Sequence, residues 1–246
     1  MSFLEHLEEL RVRLIRSLLA LVAGFAVCWG FRERIFHFIT EPLRRAQQVE
    51  FIYTSPTEAF MLYMKMAFFV GIFLAAPFIL YQVWAFVSPG LYPQEKIYAV
   101  PFIVFGSLFF LGGAAFGHYV LFPMTFRFLG EFASAEMKFL PRIGEYYSFY
   151  SWFLLGLGAV FQLPVVIFVL ARIGLVTAGF LLRQFKYAVL AAFVLSAVIT
   201  PTPDMVTQSL LALPMLGLYL LGVVVAWLFG KPRRAAEPSV SAVVQS

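Results

Sequence analysis

Long apolar runs, each about the length needed to cross a bilayer, are separated along this chain by short polar breaks. Ser2 to Arg13 is amphipathic: Phe3, Leu4, Leu7, Leu10 and Leu14 recur at helical spacing while Glu5, Glu8 and Glu9 supply polar positions. Ser2 followed by Glu5 has capping-box spacing, so a helix starts close to the terminus and runs into a first span, about Leu14 to Phe31. Arg32 to Gln48 has the punctuated pattern of a helix lying on the membrane surface, ended near Glu41-Pro42. Ser55-Pro56-Thr57-Glu58 is a helix start, opening a second span to about Val87 that is longer than the hydrocarbon layer and carries Pro77 and Lys65.

A third span is expected from Pro93 to about Leu121, with Gly106, Gly112, Gly113 and Gly117 offering close helix contacts. Phe122 to Tyr147 reads as a partly helical interfacial connection, followed by a fourth span to about Ala171 that Gly174 closes. The run from Tyr187 to Ile199 is short for a straight crossing. A sixth span then ends near Phe229, stopped by Gly230 and Pro232. Residues 1–230 are thus a single all-α transmembrane domain of six helices, and residues 231–246 a disordered tail with little to bury.

One break organises the rest. Phe86 to Lys96 interrupts two long apolar runs with Pro89, Gly90 and Pro93, and sets Glu95 among Trp84, Phe86 and Tyr92. A carboxylate among aromatics at a membrane edge suits a cationic partner.

Composition agrees with a polytopic membrane protein: 62% of the 246 residues are hydrophobic and 13% are charged. The single cysteine, Cys28, allows no intramolecular disulfide and suggests no metal framework. Six spans place both termini on one side, and that side carries ten of the eighteen lysines and arginines, a modest bias toward cytoplasmic termini.

Candidate chemistry is sparse. The sharpest feature is the acidic cluster Glu5, Glu8 and Glu9 taken with Glu95: carboxylates on one face can each take a guanidinium bidentately, as an ammonium would not. The same cluster also reads as a solvated tail with Glu9 paired to Arg13. Gln162 is either an interhelical hydrogen-bonding group or a functional polar group in the membrane interior. Lys65 reads as snorkelling, His118 as an interfacial side chain, and Asp204 as a cap for the sixth helix. The sequence shows neither a Ser/His/Asp set, nor paired metal ligands, nor a phosphate loop, so neither enzyme activity nor a cofactor is expected. An ion-coupled small-solute transporter stands as the alternative class, since neutral polar groups can line a passage.

Three segments in order carry a family resemblance: His6-Leu7-Glu8-Glu9-Leu10-Arg11; Tyr81-Gln82-Val83-Trp84-Ala85-Phe86 followed by Pro89 and Leu91-Tyr92; and Thr202-Pro203-Asp204 with Gln208. They resemble the TatC family, polytopic subunits of the Sec-independent twin-arginine protein translocase. The resemblance implies six helices in a concave, glove-like bundle with short fifth and sixth helices and cytoplasmic termini in the inner membrane. It also implies a receptor for signal peptides with consecutive arginines, working with TatA-like and TatB-like single-span subunits. Such an assembly exports folded cargo at the expense of the proton-motive force and is homo-oligomeric in its receptor form. Carried over, the signal-binding residues are Glu9, Glu95, Phe86, Arg11 and Glu8, with Pro42 and Asp204 structural. Gln162 falls at a polar position of the fourth span that faces the concave side. Some relatives have glutamate there, and a glutamine does not titrate.

Overall fold

The computed structural model describes residues 3–46, 51–52, 55–87, 99–131, 142–200 and 204–230. The expected Phe86–Lys96 turn beyond Val87, the residues before the sixth helix and the tail from Lys231 lie outside them, as does Glu95.

The first helix, α1 (Phe3–Gly30), is continuous from the amphipathic segment into the first span. It leads into α2 (Arg32–Ala46), and α3 (Glu58–Val87) then returns antiparallel to α1. A third long helix is built from α4 (Ala99–Phe116), a single π turn (Gly117–Leu121) and α5 (Phe122–Gly130). The fourth span is split into α6 (Ile143–Val160) and α7 (Leu163–Arg172), and Gly174, at φ 78°, closes it in the left-handed region that glycine adopts without strain. After it come α8 (Ala178–Arg183), α9 (Phe185–Ile199) and α10 (Met205–Phe229). Among the described residues five helical spans are long and apolar enough to cross a membrane, and α9, at 15 residues, is a shorter apolar helix.

The dominant packing links each helix to its neighbour in the row α1, α3, α4, α6–α7, α10, α9. The row is a wall one helix thick, with α6 also touching α3 and α9. Within hydrocarbon, apolar surface gains little by leaving lipid, so small residues that allow close approach decide where helices cross. A Cβ on Gly71 would lie 2.9 Å from the Phe25 amide nitrogen, and one on Gly24 would lie 2.8 Å from the Gly71 carbonyl oxygen. The backbones of α1 and α3 therefore touch at this crossing. Gly113 brings α4 against the Leu157 backbone and the Phe161 ring, and Gly117 in the π turn makes room for the Leu157 side chain, whereas Gly112, expected to help, faces open space.

Five expectations are corrected. Pro42 does not end α2; the helix continues to Ala46 with Pro42 inside it. Proline leaves the preceding turn short of a donor, and the Tyr146 hydroxyl, 2.6 Å from the Ile39 carbonyl, supplies one at the adjacent position. Nor does α2 simply rest on lipid: Ile39, Thr40 and Leu43 are fully buried against α3 and α5. The third span does not stop at Leu121, because the π turn realigns the helix and Pro123 then falls in the first turn of α5, where no amide donor is required. The sixth helix is 25 residues long, against the short one the resemblance implied.

His118 is the fifth. It is buried, not interfacial, with its ring stacked on Phe38 and Nδ1 2.7 Å from the Tyr150 hydroxyl. Asp204 caps α10 as expected, its carboxylate accepting from the Thr207 amide at 2.6 Å.

Replacing Gly71 with alanine should lower the thermal stability of the purified protein in detergent by about 1–3 kcal/mol, because neither backbone has room to give. Gly112→Ala should leave stability unchanged or raise it slightly through helix propensity. Equal melting temperatures for the two variants would remove the backbone contact from its central place.

Candidate functional site

The amino-terminal half of α1 lies along the carboxyl-terminal half of α3, and the Gly24–Gly71 crossing sets their register. Eleven residues away along each helix, Arg13 meets Gln82: Nη1 donates to Oε1 at 3.3 Å. Further out, His6 stacks on Phe86 with ring centroids 4.4 Å apart and an interplanar angle of 22°. Glu9 lies between these contacts, one turn from Arg13, and its Oε1 accepts from Arg13 Nη2 at 2.9 Å.

This end of the protein thus carries an ordered row: the Phe86 and His6 rings, then Glu9, then Arg13, then buried Gln82. The Glu9–Arg13 contact is a single-pronged pair between side chains that keep 17% and 21% of their exposure. The second Glu9 oxygen, Oε2, is covered and has no hydrogen-bond partner. A carboxylate can accept about four hydrogen bonds, and leaving a covered oxygen unsatisfied costs about 1–3 kcal/mol or more when charged. Glu9 is therefore a carboxylate whose acceptor capacity the chain itself uses only in part.

The structure brings together Glu9 and Phe86 among the expected site residues. Glu8 and Arg11 are exposed on α1. Glu95 lies outside the described residues, in the segment between α3 and α4. Pro42 sits at the opposite end of α1, buried in α2. Gln162 occupies the break between α6 and α7, and its Nε2 donates to the Gly106 carbonyl of α4 at 2.8 Å. Of the two readings of Gln162, the interhelical hydrogen bond is the one this contact realises.

Two contributors went unassigned in the sequence. Gln82 is a polar residue within an apolar helix end, and its burial at 3% exposure against Arg13 is what gives it a role. His6 lies one turn before the acidic pair, and only the α1–α3 register shows that it faces Phe86. Among the described residues no group of His, Cys, Asp and Glu side chains is arranged to hold a metal.

These features define a multi-pass helical membrane protein with a half-satisfied carboxylate and an aromatic rim at one end of its longest helix pair. The family model for the Sec-independent protein translocase protein (TatC) matches residues 5–214. The Sec-independent protein translocase protein TatC of Koribacter versatilis is 44% identical over 233 residues, which are 93% of this chain and 86% of that protein. The protein of the same name from Helicobacter pylori (strain J99) is 40% identical over 221 residues, 90% of this chain and 87% of its own length. A crystal structure of the twin arginine translocase receptor TatC in DDM superposes with a TM-score of 0.80 at 34% identity, covering 92% of this chain and all of that one. A second crystal structure of that receptor gives a TM-score of 0.78 at the same identity, over 90% of this chain and 97% of the other. The chain belongs to the TatC family, and its all-α architecture is that of these receptor structures. The family is a component of a protein translocase, not an enzyme.

In a Cys28→Ala background, His6→Cys and Phe86→Cys together should be joined by a short bifunctional thiol reagent, giving a faster-migrating species on denaturing gels. Moving the second cysteine to Val83, which is exposed on α3, should reduce that product sharply. Equal joining of both pairs would contradict the register.

Proposed function

We propose that this protein is the receptor for signal peptides bearing consecutive arginines and the core scaffold of a twin-arginine translocase that exports folded proteins across the cytoplasmic membrane. The observation that carries the reading is Glu9, held by one prong of Arg13 with its second oxygen covered and unsatisfied. A partly exposed, single-pronged ion pair contributes only about 0–1 kcal/mol. An incoming guanidinium that makes two parallel bonds to both Glu9 oxygens gains more than the Arg13 contact loses. Arg13 then keeps Gln82 as its partner. An ammonium presents a point charge rather than a fork and gains less from the same exchange.

In this reading Glu95 supplies the carboxylate for the second arginine, and Glu8 and Arg11 tune the charge around it. Phe86, stacked under His6, receives the apolar part of the peptide. Both termini lie in the cytoplasm, which agrees with the modest excess of lysine and arginine on their side. TatA-like and TatB-like single-span subunits join several copies of the chain, and the proton-motive force drives transport, as befits the family.

The small-solute alternative has no support among the relatives. Its interior groups are also engaged structurally, Gln162 with the α4 backbone and Asp204 at the start of α10.

Photo-crosslinking of the purified protein to an Arg-Arg signal peptide should exceed capture of its Lys-Lys counterpart by at least about tenfold, a difference of ~1.4 kcal/mol. The Glu9→Ala and Glu95→Ala double variant should remove that preference. Equal capture of the two peptides, or capture that survives the double variant, would overturn the proposal.

A further inference from the structure

At the end of the molecule away from Glu9, a groove of about 520 Å³ opens between α1, α3 and α6. Val22 and Phe25 line it from α1, Phe68 and Ile72 from α3, and Leu155 from α6, so its wall is almost wholly apolar. Lys65 is the one cation in the lining. Its side chain is exposed, and among the described residues no carboxylate lies within ion-pair distance of it. Tyr147 donates its hydroxyl to the Lys65 backbone carbonyl at 2.7 Å, which ties α3 to α6 at this level and holds the mouth of the groove in place.

Depth decides what can occupy it. Lys65 is seven residues into α3, about 10 Å along the helix axis, and Ile72 is at about 21 Å. The apolar span here is 29 residues, about 43 Å, against a hydrocarbon layer of ~30 Å. Centred in a bilayer, Lys65 therefore sits just inside the boundary between headgroups and chains, where a lysine snorkels outward. The groove continues from it toward the midplane. A single fixed cation at headgroup level above an apolar channel of about 10 Å is complementary in charge and polarity to one molecule type: an anionic phospholipid, phosphate on the ammonium and acyl chain along Val22, Phe25 and Leu155.

We propose that this groove is a binding site for one anionic phospholipid, anchored by Lys65 and packed between α1, α3 and α6. The lipid fills the gap that α1, α3 and α6 leave between them, and it packs on α1 beside the Gly24–Gly71 crossing. The site is independent of the peptide site, which lies at the other end of the same helix pair.

The test uses the full-length protein in detergent with phosphatidylglycerol or phosphatidylcholine, each carrying the same photoreactive acyl chain. Labelling of peptides containing Val22–Phe25 and Leu155 should favour phosphatidylglycerol about fivefold, the effect of one basic residue on an anionic headgroup. Lys65→Arg should keep the preference. Lys65→Gln should bring phosphatidylglycerol down to the phosphatidylcholine level without changing the latter. Equal labelling of wild-type protein by the two lipids would overturn the proposal without recourse to any variant. A preference that survives Lys65→Gln, or labelling that maps outside the groove, would overturn it as well. Capture of a signal peptide in place of lipid by a photoreactive residue at Ser151 would reassign the groove to peptide.

Discussion

The contact on which the rest depends is between two backbones. Where Gly24 meets Gly71 neither helix has a side chain in the way, and α1 and α3 close to a separation that a Cβ on either would forbid. Because lipid offers apolar surface as good a solvent as another helix does, such geometric fit replaces the hydrophobic effect as the selector of helix pairs. A helix pair pinned at one point keeps its register along its length. That register brings Arg13 to Gln82 and His6 to Phe86 at one end, and the Trp29 and Phe60 rings together at the other.

From the pin follows the unusual state of Glu9. A carboxylate on a free amphipathic helix would be fully hydrated and unremarkable in energy. Packed against α3, it gives one oxygen to Arg13 and has the other covered without compensation. The arrangement resembles a lock held by a weak internal substitute. The covered oxygen is a local cost that the chain does not offset, and on the function proposed above it is the feature an incoming guanidinium would satisfy. At the opposite end of the molecule an aromatic core stiffens the scaffold: Tyr146, Tyr150 and Phe153 meet Phe122 edge to face, and Tyr146 and Tyr150 reach out to hold Ile39 and His118.

Much of the scaffold was legible from periodicity alone. The starts near Ser55 and Asp204, the closure at Gly174, the shortness of α9 and the amphipathic entry to α1 all follow from local rules on capping, glycine and length. The failures share a cause. Pro42 read as a stop because local chemistry gives it no amide donor, yet the helix runs through it to Ala46, with the hydroxyl of a tyrosine more than a hundred residues away on the neighbouring Ile39 carbonyl; the third span read as ending near Leu121, yet a π turn carries it on into α5. His118 read as interfacial because it stands near the end of an apolar run, and its burial depends on α2 folding over it with Phe38.

The amino-acid sequence by itself determined that this is a helical membrane protein, where its spans fall, and which acidic and aromatic residues are available for recognition. These are properties of composition and of neighbours within a turn or two. What only the tertiary structure decided is which of those residues meet: that Glu9 is shared with Arg13 and left half satisfied, that Gln82 and His6 belong to its surroundings, that Gln162 ties α7 to α4, and that Lys65 lines an apolar groove. The reason is physical. Helix formation is satisfied within each segment, but pairing between segments is set by the few places where backbones can touch, and those places carry no local signal beyond a glycine.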